Sequence, residues 1–184
     1  MIYVTRSTLE QVLDRISAVV EGKGTLYLIG ETSLVWEGAR SWTDEVEIAV
    51  VSEGSDEQEL ENELAWISGD LGIQIIHEFP GDVIPLAEGW QERCQGIEFR
   101  ASELEVAHFD PYSVSFRFLA RGEEEDYKLV IAYLECGWIS MDELDRQLTG
   151  VLPNFSFETI AQDPAEFRRK YKGLQQMAKA QGLL

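Results

Sequence analysis

The chain has 184 residues, 45% apolar and 27% charged, proportions that suit one globular domain or a core with a smaller appended unit. Its net charge of −19 is not ordinary. It speaks against nucleic acid as a partner, because phosphate backbones need clustered Lys and Arg, and equally against anionic membrane surfaces.

Two cysteines, Cys94 and Cys136, are too few for a disulfide framework. The first residues lack the charged and apolar segments of a signal peptide, and no apolar run approaches a membrane span. A cytoplasmic location is expected. His77 and His108 lie far apart and beside no Cys or second His, so a zinc site is not expected.

Taken in order, Ser7-Thr8-Leu9-Glu10 reads as a capping box opening a helix to about residue 20. Leu9, Val12, Leu13, Ile16, Val19 and Val20 fall at helical spacing, and Gly22 and Gly24 end the helix. An apolar strand is expected over 25–29, a helical piece over 33–37 and a second strand over 45–51. A loop then leads into an acidic helix that buries Leu60, Leu64 and Ile67, followed by a strand over 72–79. A turn at Phe79-Pro80-Gly81-Asp82 opens an irregular stretch to Arg93, punctuated by Pro85 and Gly89. Two short strands, 96–100 and 104–108, complete the sheet-forming part.

From Asp110 only helices are expected. Asp110-Pro111 is an N-cap with a first-turn proline, opening a helix to about residue 121. Gly122 separates it from a helix over 123–136. Ser140-Met141-Asp142-Glu143 is a second capping box for a helix ending near residue 149, and Asp163-Pro164 caps a last helix to about residue 181. The fold class is therefore α+β, with a mixed sheet and flanking helices over 1–109 and an all-helical lobe over 110–184. The final twenty residues carry Arg168, Arg169, Lys170, Lys172 and Lys179 against Glu166, a balance of +4 that leaves −23 on the rest. That basic helix reads either as a solvated face with cations near its C-terminus or as a docking element.

Chemistry concentrates between residues 25 and 51. The apolar run 26–29 stops at Gly30, and the strand after the helical piece carries Glu45 and Glu47, two apart. Residues i and i+2 of a strand share a face at about 6.6 Å, so the two carboxylates can serve one cation. A glycine turn facing them lets a phosphate approach the backbone. The same residues also suit an ordinary two-faced strand whose polar side carries Glu.

This layout resembles the signature of the nucleotidyltransferase superfamily: a hydrophobic residue, Gly, then Gly or Ser, about a dozen residues, and Asp-x-Asp or Asp-x-Glu on the next strand. Ile29-Gly30 matches the first half, Glu31 replaces the second small residue, and thirteen residues separate Glu31 from Glu45. Thr43-Asp44-Glu45-Val46-Glu47 is similar to the Thr-x-Asp-x-Asp form of toxin–antitoxin-type members, with Glu in both Asp positions. The stretch from Phe79 to Arg93 and the Asp110-Pro111 to Asp126 element resemble an uncharacterised branch of that superfamily. The three segments together span about two-thirds of the chain.

The resemblance implies Glu45 and Glu47 as Mg²⁺ ligands, Gly30, Thr32 and Ser33 as contacts to nucleotide phosphates, and Asp126 as a further catalytic carboxylate. It also exposes departures. Phe118 occupies the position of the branch's phosphate-contacting lysine, Leu129 that of a further Asp, and Glu78 is the remaining third carboxylate on the sheet. Each Glu reaches about 1.5 Å further than Asp, whereas Mg²⁺ demands near-octahedral geometry. The expected function is a nucleotidyltransferase-fold protein with a degenerate metal and phosphate site, acting as a binding or regulatory module. An active Mg²⁺-dependent transferase of toxin–antitoxin type and a protein–protein interaction module, anchored by aromatics such as Trp42 or Trp90, are the alternatives. A nucleotide and a protein are the expected partners.

Overall fold

The computed structural model describes residues 3–20, 22–53, 56–99, 104–155 and 163–184. They divide into two compact units, one formed by Met1–Phe79 with Gln95–Phe109 and the other by Pro80–Cys94 with Asp110–Leu184.

The first unit holds the sheet. Its elements are α1 (Arg6–Val19), β1 (Gly24–Leu28), α2 (Glu31–Trp36), β2 (Glu45–Ser52), α3 (Glu57–Leu71), β3 (Gln74–His77), and two strands that arrive late in the sequence, Gln95–Gly96 (β4) and Leu104–His108 (β5). The strand order is β3-β2-β1-β5-β4. β1 runs antiparallel to β2 and parallel to β5, so the expected neighbours 25–29 and 45–51 do lie side by side, with Leu28 opposite Ile48. β3 joins β2 in parallel and β4 joins β5 antiparallel.

Period-two alternation decides which residues reach the core. Leu26, Leu28, Val46, Ile48, Leu104 and Val106 pack with Leu9, Val12, Leu13 and Ile16 of α1 and Leu60, Leu64 and Ile67 of α3 in one apolar cluster. Glu45 and Glu47 alternate with Val46 and Ile48 and therefore belong to the opposite face of the sheet.

Several boundaries differ from expectation. α1 starts two residues earlier than the Ser7–Glu10 box implied: its N-cap is Thr5, which makes no side-chain cap bond. The helix stops at Val20 in extended conformation, and Gly24 already belongs to β1, where a Cβ would meet Val51 O at 2.4 Å. The strand expected over 96–100 contributes only Gln95–Gly96 to the ladder, and residue 100 lies outside the described residues. α2 begins at Glu31, two residues before the expected start. Trp42 and Trp66 are 39% and 62% exposed.

The second unit is helical, and no strand occurs among its described residues. A 3-10 turn at Pro80–Asp82 precedes α4 (Trp90–Arg93), a short helix in the stretch expected to be irregular. α5 (Pro111–Arg121), α6 (Glu124–Glu135), α7 (Met141–Val151) and α8 (Pro164–Ala180) follow, with a 3-10 turn at Leu152–Asn154. Asp110, Ser140 and Asp163 each accept a main-chain N–H of the helix they open, as their sequence patterns predict. Phe116, Phe155 and Phe167 meet edge to face at its centre. The segment Pro80–Cys94, placed in the first region by the sequence division at 109/110, groups with this second unit because Arg93 and Ala87 bond to Asp110 and Ser113. No described helix is long and apolar enough to cross a membrane.

Candidate functional site

Gly30 adopts φ 61° and ψ −132°, a backbone region that L side chains rarely occupy, and it leads directly into α2. The Ile29 N–H donates to Glu47 O at 3.1 Å, so this turn leaves the sheet beside the Glu45–Glu47 segment. Thr32 closes the arrangement. Its buried Oγ1 accepts the Glu47 N–H at 2.8 Å, tying the helix after the glycine to the carboxylate strand. Ser33 is buried as well, and its carbonyl accepts the Glu37 N–H.

Glu31, the residue that stands where the resemblance wants Gly or Ser, is held by its neighbours. Thr43 Oγ1 donates to Glu31 Oε2 at 2.8 Å and Arg40 pairs with Oε1. The negative charge is therefore matched locally and drawn towards the residues just before β2. Neither Arg40 nor this role of Thr43 was legible in the sequence. The only trace was an opposite charge nine residues from Glu31.

Glu45 is half-buried and Glu47 is 4% exposed. Among the described residues no group of three or more His, Cys, Asp or Glu is placed to hold a metal ion. Mg²⁺ is commonly held by one or two carboxylates with phosphate and water oxygens completing the octahedron.

The other predicted site residues belong to the second unit, where their contacts are structural. Asp126 sits in the first turn of α6, buried. Its Oδ2 accepts the Glu123 N–H at 2.9 Å and its Oδ1 accepts from Arg121 Nε at 3.1 Å, a reciprocal cap with an ion pair. Phe118 is 2% exposed, with the Arg121 and Arg117 guanidinium groups 4.8 and 5.3 Å from its ring centre. The position that the resemblance assigns to a phosphate-contacting lysine holds a buried ring.

Two polar clusters carry no sequence signature, and a third adds Arg93 to the predicted Asp110 cap. His77 Nε2 accepts the Val50 N–H at 3.1 Å while Nδ1 meets Glu61 Oε1 at 2.6 Å, a clamp between β2, β3 and α3. His108 Nε2 lies 2.9 Å from Glu37 Oε1; burial pushes its pKa below the ordinary 6.5, against the raising effect of Glu37. Asp110, fully buried, accepts from Arg93 Nε and Nη2 at 2.8 and 2.9 Å, from Ser113 Oγ at 2.7 Å, and from the Tyr112 and Ser113 N–H groups. That hydrogen bonding raises the pKa of Arg93. Burial pushes the pKa of the Cys94 thiol beside it up to about 11, which disfavours the thiolate.

No protein-family model matches the chain, and no curated protein or solved structure matches it.

Proposed function

We propose that this chain is a nucleotidyltransferase-fold protein whose metal and phosphate site has degenerated, and that it works as a non-catalytic module that binds a nucleotide weakly as its Mg²⁺ complex. The observation that carries this reading is the 2.8 Å bond from the Glu47 N–H to Thr32 Oγ1. It joins the two halves of the signature, the glycine turn and the paired carboxylates, into one local unit.

Turnover is disfavoured by three departures acting together. Both metal ligands are lengthened, Glu31 replaces a small residue, and Phe118 stands where a lysine would stabilise charge. Loss of a single oxyanion-type donor costs about 2.7–4 kcal/mol of barrier, so the combination leaves little rate enhancement. The pairing of Glu31 with Arg40 softens one of the three and favours the active Mg²⁺-dependent transferase as the second reading. Tyr3 and Trp42, 54% and 39% exposed with ring centres 4.2 Å apart, favour a protein contact as the third.

Calorimetric titration of each nucleoside triphosphate with Mg²⁺ or Mn²⁺, paired with a labelled-nucleotide transfer assay to self, protein and tRNA, separates these readings. Weak metal-dependent binding without transfer, lost in Glu47→Gln, is expected. Transfer that disappears in Glu45→Gln or Glu47→Gln would restore the enzyme. No binding at all would leave the protein-contact reading.

A further inference from the structure

α7 and α8 of the second unit border a groove of about 620 Å³. Leu148, Leu152 and Pro153 supply its apolar wall, and Arg168 and Lys172, one helical turn apart on α8, form the other rim. Asp145 lies within it, but Oδ1 already accepts from the Tyr171 hydroxyl at 2.7 Å and from Gln175 Nε2 at 3.1 Å. Thr149 Oγ1 turns away to donate to the Asp145 carbonyl.

The two rim cations differ from their neighbours on α8. Arg169 and Lys170 reach towards Glu166 at 3.8 and 3.7 Å. Arg168 and Lys172 are exposed and form no ion pair among the described residues. In a chain of net charge −19, two such cations over an apolar wall run against the molecule's own average. A cation with no internal carboxylate is where an external one gains most.

We propose that this groove binds an acidic segment of a partner protein that carries aliphatic anchors. A Leu-type side chain covers Leu148, Leu152 and Pro153, flanking carboxylates meet Arg168 and Lys172, and Asp145 Oδ2 accepts a main-chain N–H. An anionic membrane fits less well. A planar surface faces the acidic body broadly, whereas a short segment feels mainly the charges within a Debye length of about 8 Å. Nothing in this groove depends on nucleotide binding in the first unit.

The test uses the full chain and a fluorescent synthetic peptide of Leu at helical spacing with Glu between, its Lys-for-Glu counterpart, and phosphatidylglycerol vesicles. Anisotropy should report binding of the Glu peptide only. The affinity should fall about tenfold in Arg168→Glu/Lys172→Glu, less in Arg168→Gln/Lys172→Gln, and also fall with added salt. Both side chains are exposed, and circular dichroism checks that the variants stay folded. Equal affinity of the charge-reversed variant, equal affinity for the Lys peptide, or no peptide binding would overturn the proposal. Vesicle association without peptide binding would overturn it in favour of a membrane contact.

Discussion

The two units place their acidic residues on different backbone elements. In the second unit Asp110 and Asp126 stand at the starts of α5 and α6, where unpaired main-chain N–H groups point at them and an arginine completes each pair. In the first unit Glu45 and Glu47 stand on a strand of the sheet, and the N–H of Glu47 is already given to Thr32. At a helix start the main-chain N–H groups are open to a carboxylate; in a strand the ladder and, here, Thr32 take them. The surroundings of an acidic residue therefore differ between the two units for reasons of local backbone geometry rather than of composition.

That contrast can be broken by mutation. The largest effect belongs to Asp110→Ala, which removes a cap and leaves the Arg93 guanidinium, only 24% exposed, with the Glu88 carbonyl but without its carboxylate. A loss of about 3 kcal/mol of unfolding free energy is expected in urea denaturation, and a loss below that of Asp126→Ala would contradict the assignment. Arg121, the partner of Asp126, is nearly half exposed, so water compensates more of that break.

Next in size is Thr32→Val, which strands the buried Glu47 N–H and should cost about 1–3 kcal/mol. Thr32→Ser should recover most of it. A neutral Thr32→Val would mean that the glycine turn and the carboxylate strand do not depend on each other.

The smallest effect is a pH dependence in the first unit. Burial lowers the pKa of His108 in the folded chain, so the unfolded chain binds the proton more readily. Stability from this group is present above the ordinary value of 6.5 and is lost as pH falls through it towards the lowered value. Comparing urea midpoints at about pH 7.5 and about pH 5.5, His108→Gln should lack a downward component that wild type shows at the acid end. An unchanged difference between the two proteins would assign the dependence to other groups.

Much of the architecture was legible because it rests on short-range rules. Asp110-Pro111, Ser140 to Glu143 and Asp163-Pro164 predicted three helix starts, since a cap needs only a side chain and the N–H groups two or three residues on. The same rule failed at α1, where Thr5 and not Ser7 begins the helix. Several residues in a row could start it, and the pairing of Val4 with Thr43 helps fix where the chain turns. The glycine turn and the paired glutamates were visible from spacing alone.

What the amino-acid sequence determined by itself was the alternation that puts Val46 and Ile48 in the core with Glu45 and Glu47 on the other face, and the caps that set the helices. Tertiary structure decided which acids are spent. Arg40 reaches Glu31 across nine residues, Glu37 reaches His108 across 71, and Arg93 reaches Asp110 across 17. No local pattern encodes such pairs, because a charge finds its partner only after the backbone has brought distant segments together.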